Sequence, residues 1–443
     1  MNFLSKNNID ELFEFLRIPS ISAQREHAGD VCKCAEWLAG RFRARGLDVI
    51  LDIAEPRPVV IASSPRDTSR KTVLFYGHYD VQPPEPLDEW SSPPFEPTVR
   101  DGRIFARGVS DNKGAIMAML QGIGDDVAAL PCNVIFLIEG EEEIGSVALP
   151  AALLKYREAL RCDVAVGMDT GMVAPYHPTL TYALRGMAAM ELRVKGPSHD
   201  LHSGVFGGAV MNPATALARM VAQLHDDHGR VMIPGFYDTV KPLDPWERKA
   251  AASLPCDDET FRKLTGAPEL FGEEGYTTVE RVGARPTAEI NGLGGGYQGE
   301  GSKTVLPREA FAKITFRMVA DQKGDDVLAR AKKFFEERVP RGVTCDVKVG
   351  SFGNPYSYNP RSPYGVAVCR ALEKTFGTTP ALVREGGSIP VLAQIRDTLG
   401  CDILLAGLSD PDASAHAPNE NFPVKNFHAG IRLTRAILEE VAS

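Results

Sequence analysis

The sequence predicts an α/β protein: a large α/β/α sheet domain carrying an inserted, smaller α+β domain of βαββαβ order. Three observations carry this expectation. The chain has 443 residues, and single cores seldom grow past ~250–300 residues, so two or three domains are expected. Apolar runs of strand length alternate with amphipathic helical stretches in the first and last parts of the chain, the pattern of a sheet covered on both faces. The middle part changes to strands of alternating polarity. The expected division is 1–183 and 355–443 for the larger domain and 184–354 for the insert.

Each element follows from local pattern. Asn8 with Glu11 reads as a capping box, and Ile9, Leu12, Phe13 and Leu16 follow at helical spacing. Ala35, Leu38, Ala39 and Phe42 make a second helical stripe, stopped by Gly46. Short apolar runs at 48–53, 58–63 and 71–76 read as strands. A helix follows with Ile116, Met119, Leu120 and Ile123 on one side, then strands at 133–138 and 163–167. In the insert, 187–195 alternates as a half-exposed strand and 212–224 is helical. Strands at 286–293 and 310–319, a helix at 325–339 and a strand at 343–350 complete a split βαβ plan. Residues 226–285 are an elaboration with short helical pieces at 245–254 and 258–264. A helix at 363–376, a strand at 403–407 and a helix at 425–441 return to the α/β style.

Composition narrows the function. The net charge of −9 argues against nucleic acid or an anionic membrane as partner. No stretch approaches the ~18 apolar residues of a membrane span, and residues 1–6 begin no signal region. The eight cysteines are scattered, with only Cys32 and Cys34 close together. Reduced thiols in a cytoplasmic protein are expected rather than a disulfide framework or a structural zinc ribbon.

The apolar strand at 134–138 ends in EGEEEIGS, with Glu139, Glu141, Glu142 and Glu143 inside five positions. Like charges this close repel unless they face water or something positive sits among them. Other strands of the larger domain also end in ligand-type residues: His78 after 73–77, Asp169 after 164–167, and His416 in the loop after 403–407. Asp111 precedes the 112–123 helix. In open α/β sheets, ligands bind beyond the carboxyl ends of the strands. Two imidazoles with three carboxylates suit zinc or manganese, and two ions sharing one carboxylate would use all five groups. One of the paired glutamates could then bind metal while the other takes a proton from an activated water. Spacing alone leaves open the plainer reading of solvated turns and satisfied pairs.

Eight stretches in order resemble the M20 metallopeptidases: GHYDVQPP (77–84), RGVSDNKG (107–114), EGEEEIGS (139–146), LRGMAAMEL (184–192), DLHSGVFGG (200–208), GSKTVLP (301–307), REGGSIP (384–390) and AHAPNE (415–420). Wording and spacing are most similar to the carnosinase-like and cytosolic nonspecific dipeptidase branch, from about residue 8 to the C-terminus. The resemblance implies two divalent metal ions per subunit, zinc foremost and manganese as the alternative. His78 and His416 would each bind one ion, Asp111 would bridge, and Glu143 and Asp169 would each join one ion. Glu142 would be the general base, with Asp80 orienting the His78 imidazole. A cis peptide at Asp111–Asn112 is a family habit.

The same resemblance makes the insert a lid and dimerisation domain. His202 would cross to the neighbouring subunit of a homodimer and steady the oxyanion there. Arg317 would grip the free carboxylate of a small peptide substrate, helped by the turn of Gly386, Gly387 and Ser388, with Thr304 as a further contact. The expected activity is dipeptide hydrolysis. An N-acyl-amino-acid amidohydrolase of the same fold is the alternative. A non-catalytic binding protein is not expected, because all five ligands and the base are present. The Gly-rich run 296–304 imitates a phosphate loop, but its lysine comes one residue late and no strand–loop–helix frames it.

Overall fold

The computed structural model describes residues 7–53 and 57–443. Nine strands form one mixed sheet. Along its main path they run Asp48–Asp52, Val59–Ser63, Asn133–Glu139, Thr72–His78, Val164–Gly167, Ile403–Gly407, Thr179–Leu184 and Tyr356–Ser357. Ala381–Glu385 also pairs with Thr179–Leu184. The four strands in the middle, from Asn133–Glu139 to Ile403–Gly407, are mutually parallel. Every residue in these four is buried. Strands covered on both faces lose the polar alternation of a half-exposed sheet, so they read as near-continuous apolar runs. Gly114–Gly122 packs on Thr72–His78, Pro363–Phe376 on Ile403–Gly407, and Ala28–Ala44 on the first two strands. Rings of Phe42 and Phe75 meet Phe136 at centroid distances of 4.8 and 5.4 Å, joining helix to sheet.

The sheet is wider than the sequence pattern indicates. Thr179–Leu184 is a fully buried strand, yet its threonines disguise it as a polar segment. Ala381–Glu385 is half-exposed throughout and lacks a clear period. The expected capping box at Asn8 also needs correction. The first helix spans Asn7–Leu16, which puts Asn8 inside its first turn. The Glu11 carboxylate accepts from Arg45 at 3.0 and 2.7 Å and from Gln121 at 3.1 Å.

A second, antiparallel sheet is built from Gly186–Lys195, Thr287–Gly295, Glu309–Met318 and Thr344–Gly353. Its spatial order is 287–295, 309–318, 186–195, 344–353. Helices Pro213–Val221 and Gly324–Glu336 cover it, which realises the β-α-β-β-α-β order. Asn212 caps the first of these helices through the Ala214 N–H, with Pro213 following it, a favourable start for a helix. Leu192, Leu217, Ile314, Phe316 and Phe334 belong to a core separate from that of the large sheet.

The 226–285 elaboration joins the two sheets. Val231, Ile233 and Phe236 are part of the smaller core. Helices Pro245–Ala252 and Thr278–Ala284 instead pack on Ala381–Glu385 of the large sheet. Glu247, only 6% exposed, accepts from Tyr182 Oη at 3.1 Å and from Arg384 Nε at 2.9 Å. The Trp246 ring lies 5.5 Å from that of Tyr182. The Gly-rich run 296–304 is a loop between strands, and no helix follows it; it is not a phosphate loop.

Candidate metal centre

The four parallel strands deliver their end residues to one place. His78 closes Thr72–His78 and lies opposite Glu139 in register. The tight turn after Glu139 brings round Glu142 and Glu143. Asp169 follows Val164–Gly167, and His416 sits in the loop after Ile403–Gly407. Asp111 arrives from a wide helical turn, Val109–Lys113, in which its own backbone is non-helical (φ −129°, ψ 87°). The Asp111–Asn112 peptide is cis. A side chain on Gly77 would lie 2.7 Å from Asn112 Oδ1 and 2.9 Å from Ile116; glycine before His78 is what lets this turn approach the strand.

Two groups of donor atoms result. His78, Asp111 and Asp169 form one, and Asp111, Glu143 and His416 the other, each with its atoms within 4.8 Å of one another. Asp111 belongs to both. Its Oδ1 lies 2.9 Å from His78 Nε2 and its Oδ2 lies 2.8 Å from His416 Nε2. Asp169 Oδ2 is 3.6 Å from His78 Nε2, and Glu143 Oε2 is 3.3 Å from His416 Nε2.

The electrostatics are those of a cluster short of positive charge. Burial pulls the His78 imidazole down, but Asp169, Asp111 and Asp80 more than reverse this and hold it well above its ordinary pKa. Hydrogen bonds to Asp111 and Glu143 raise His416 to about 10. Burial pushes the Asp111 carboxyl up, yet the bonds from His416 and His78 outweigh it and leave the group well below the usual carboxylate range. A divalent cation bound here would displace protons from its ligands and take over their charge. Glu143 Oε1 is buried without a hydrogen-bond partner. The mixed N/O donor set, the shared carboxylate and this orphaned oxygen all fit a pair of borderline divalent ions.

Around the cluster, Asp80 does two things. Its carboxylate lies 3.3 Å from His78 Nδ1, and it accepts the backbone N–H groups of Glu142 and Glu143 at 3.2 and 3.1 Å. One fully buried aspartate therefore sets both an imidazole and the glutamate turn. Glu142 is half-buried, and its carboxyl makes no hydrogen bond among the described residues. Burial raises it to about 8, and Asp169, Glu143 and Asp111 push the same way against His78.

Arg317 and Ser388 also come together: Arg317 Nη1 donates to Ser388 Oγ at 2.9 Å. The Ser388 hydroxyl donates in turn to Arg185 O at 2.5 Å, and Arg185 Nε donates to Gly386 O at 3.2 Å. Neither Arg185 nor Arg317 is ion-paired among the described residues. Both line a cleft of about 750 Å³ whose other wall includes Val282 and Arg281 of the elaboration. Gly387 is exposed at the tip of the same turn. His202 lies opposite Val305 on a short antiparallel pair, Leu201–His202 with Val305–Leu306, and Thr304 comes just before Val305, with Ser203 N–H donating to Thr304 O at 3.0 Å. The His202 and Thr304 side chains are exposed, and the His202 ring accepts from Gly204 N–H at 3.0 Å. Neither hydrogen-bonds the metal-ligand candidates within this chain.

Three supporting residues escaped the sequence reading. Asn112 donates to Asp169 Oδ1 at 2.7 Å, Gln82 donates to Glu143 Oε2 at 2.6 Å, and Arg185 flanks Arg317. All three sit inside the motifs quoted above, where nothing distinguishes them from neighbours until the strands are paired.

A family model for peptidase family M20/M25/M40 matches residues 74–440. The Cys-Gly metallodipeptidase dug1 of Schizosaccharomyces pombe is 32% identical, over 98% of this chain and 95% of that protein. The Beta-Ala-His dipeptidase of Homo sapiens is 30% identical, over 87% of this chain and 78% of that protein. Among solved structures, the M20 family metallo-carboxypeptidase Sso-CP2 from Sulfolobus solfataricus superimposes with a TM-score of 0.84 at 33% identity, covering 99% of this chain and 100% of that one. The dipeptidase Dug1p from Saccharomyces cerevisiae gives 0.79 at 27% identity, covering 98% and 96%. With the family model spanning most of its length and its acidic strand ends converging on one centre, this chain belongs to peptidase family M20/M25/M40 and is a metallopeptidase.

Proposed function

We propose that the protein is a two-metal dipeptidase acting on short peptides with a free C-terminal carboxylate. The observation that carries this is the pair of ligand groups joined by Asp111. His78, Asp111 and Asp169 would hold one ion, and Asp111, Glu143 and His416 the other, zinc or manganese by donor type. Bound there, the ions would supply Lewis acidity and bring a water's pKa from 15.7 towards ~7.

The chain's own residues divide the remaining work. Asp80 holds His78 and the 142–143 turn in place. Glu142 takes the proton of the attacking water and passes it to the leaving amine. Arg317 and Ser388 bind the substrate's carboxylate at the Gly386–Ser388 turn, which limits substrates to those with a free C-terminus. The 184–354 domain acts as lid and dimerisation unit, His202, exposed in the single chain, completes the site of a neighbouring subunit, and Thr304 is a further substrate contact. No described helix is long and apolar enough to cross a membrane. The scattered spacing of the eight cysteines fits reduced thiols in a cytoplasmic setting.

A panel assay tests the proposal. Protein loaded with zinc or manganese is given dipeptides, tripeptides, the C-terminal amides of the same peptides, and N-acetyl amino acids, alongside a metal count per chain. Two ions per chain and selective hydrolysis of free-acid dipeptides are expected. Faster turnover of N-acetyl amino acids would move the protein to the amidohydrolases. The likeness to a carboxypeptidase makes the tripeptides the informative comparison for substrate length.

A further inference from the structure

Four residues beyond His416 lies Glu420, a carboxylate with no exposed surface. Its Oε1 accepts the backbone N–H groups of Ser110 and Asp111 at 2.8 and 3.1 Å. Its Oε2 accepts Gly108 N–H and Arg107 Nη1, both at 2.8 Å. An ionised carboxylate offers about four lone-pair sites and no donor, so every site is in use. Three of the four donors are main-chain groups of the turn that carries Asp111.

The neighbouring contacts extend this fastening. Ser110 Oγ donates to Asn421 O at 2.8 Å, and Ala106 N–H donates to Glu420 O at 3.2 Å. Asn419 accepts from Ser91 N–H and donates to Glu89 O, each at 2.8 Å. The loop so fastened is a strained one: Ser414, His416 and Asn419 have φ of 55°, 62° and 61°. Non-glycine residues persist in that region only where surrounding contacts over-determine them. Arg107, the fourth donor, is itself held by Pro83 O at 3.2 Å and lies over the Trp90 ring.

We infer that Glu420 is a positioning residue for the metal pair: it ties the loop of His416 to the turn of Asp111 and so sets the distance between the two ligands that meet there. The inference rests on the two-metal reading above. Arg107 is the buried counter-ion of this fully enclosed carboxylate. A glutamine of the same size could not substitute. It has one carbonyl oxygen, and its NH₂ group would face N–H donors.

The test is Glu420→Gln, prepared metal-free and compared with the unaltered protein by circular dichroism, apo-protein melting and zinc titration against a chromophoric chelator. Removing a residue that orients metal ligands typically costs 10–100-fold in affinity. The expected result is a folded apo protein with a lowered Tm, because Arg107 loses its buried partner, zinc affinity of the folded fraction weaker by at least about tenfold, and an unchanged KM once metal is saturating. A residue that only supports the fold would lower apo stability in proportion and leave the affinity of the folded fraction alone. If the glutamine variant does not fold, Glu420→Asp, which keeps the charge but cannot span all four donors, is titrated in its place. Two zinc ions bound by a folded variant with parental affinity would overturn the inference while leaving the two-metal reading intact. A parent protein that binds fewer than two ions would remove both.

Discussion

Arg317 offers the sharpest test of how substrate is read. In the cleft it is half-buried, donates to Ser388 Oγ, and has Arg185 rather than a carboxylate beside it. Replacing it with methionine keeps the apolar stem and removes the fork. A hydrogen bond to a charged group contributes ~1.5–3 kcal/mol, so a two-pronged contact with a substrate carboxylate is worth ~3–6 kcal/mol. The structure argues for the lower part of that range. Arg185 remains as a second cation, and it is freed from the repulsion that, together with burial, lowers it to about 10. About 3–4 kcal/mol corresponds to a loss of ~10²–10³ in kcat/KM, at ~1.4 kcal/mol per tenfold. The assay measures kcat/KM for one dipeptide and its C-terminal amide in both proteins. The full loss is expected for the acid and little change for the amide. Equal losses for acid and amide, or wild-type efficiency towards the acid, would refute the assignment.

Other outcomes follow from the same geometry. Glu142→Gln should retain both metals and lose at least about 10² in kcat, the scale of a missing general base; near-normal turnover would remove it from the mechanism. Chelation should lower Tm, because each site filled at 100 times its Kd contributes ~2.7 kcal/mol to the folded state; calorimetry before and after refilling with zinc checks this. His202→Ala should be inactive alone but regain activity when mixed with Glu142→Gln, since mixed dimers pair an intact site with a donated His202; no recovery would count against a shared site. Glu11 supplies a pH test. Burial raises its carboxyl, but Arg45, Gln121 and Arg41 outweigh that and hold it below its ordinary 4.5. A carboxylate with a lowered folded-state pKa stabilises the fold above its unfolded value, and the benefit disappears as pH falls through the lower one. Glu11→Gln should therefore lower Tm near neutrality and bring the two proteins together in acid.

The candidate ligand cluster was legible because the physics behind it is local. Thr72–His78 and Asn133–Glu139 are buried on both faces, so their apolar runs and sharp acidic ends stand out in the sequence, and His78 and Glu143 are found by position. Asp169 and His416 follow by the same rule. What could not be read depends on pairing at a distance. Glu420 is four residues from His416, but its meaning comes from N–H groups more than 300 positions earlier. Arg185 matters through Ser388, on a strand-end turn 203 residues away. Thr179–Leu184 hid for a different reason: threonines on a strand buried along its whole length carry no hydrophobic signature.

The 226–285 elaboration has its own bearing on how such a protein can change. Val282 would be 2.9 Å from a side chain at Gly386, and Gly283 sits against the Arg384 carbonyl. A segment that donates no group to the reaction thus forms one wall of the pocket at Arg317. Substitutions there can reshape which peptides fit while the hydrolytic apparatus stays untouched, so substrate preference and chemical competence are free to evolve separately.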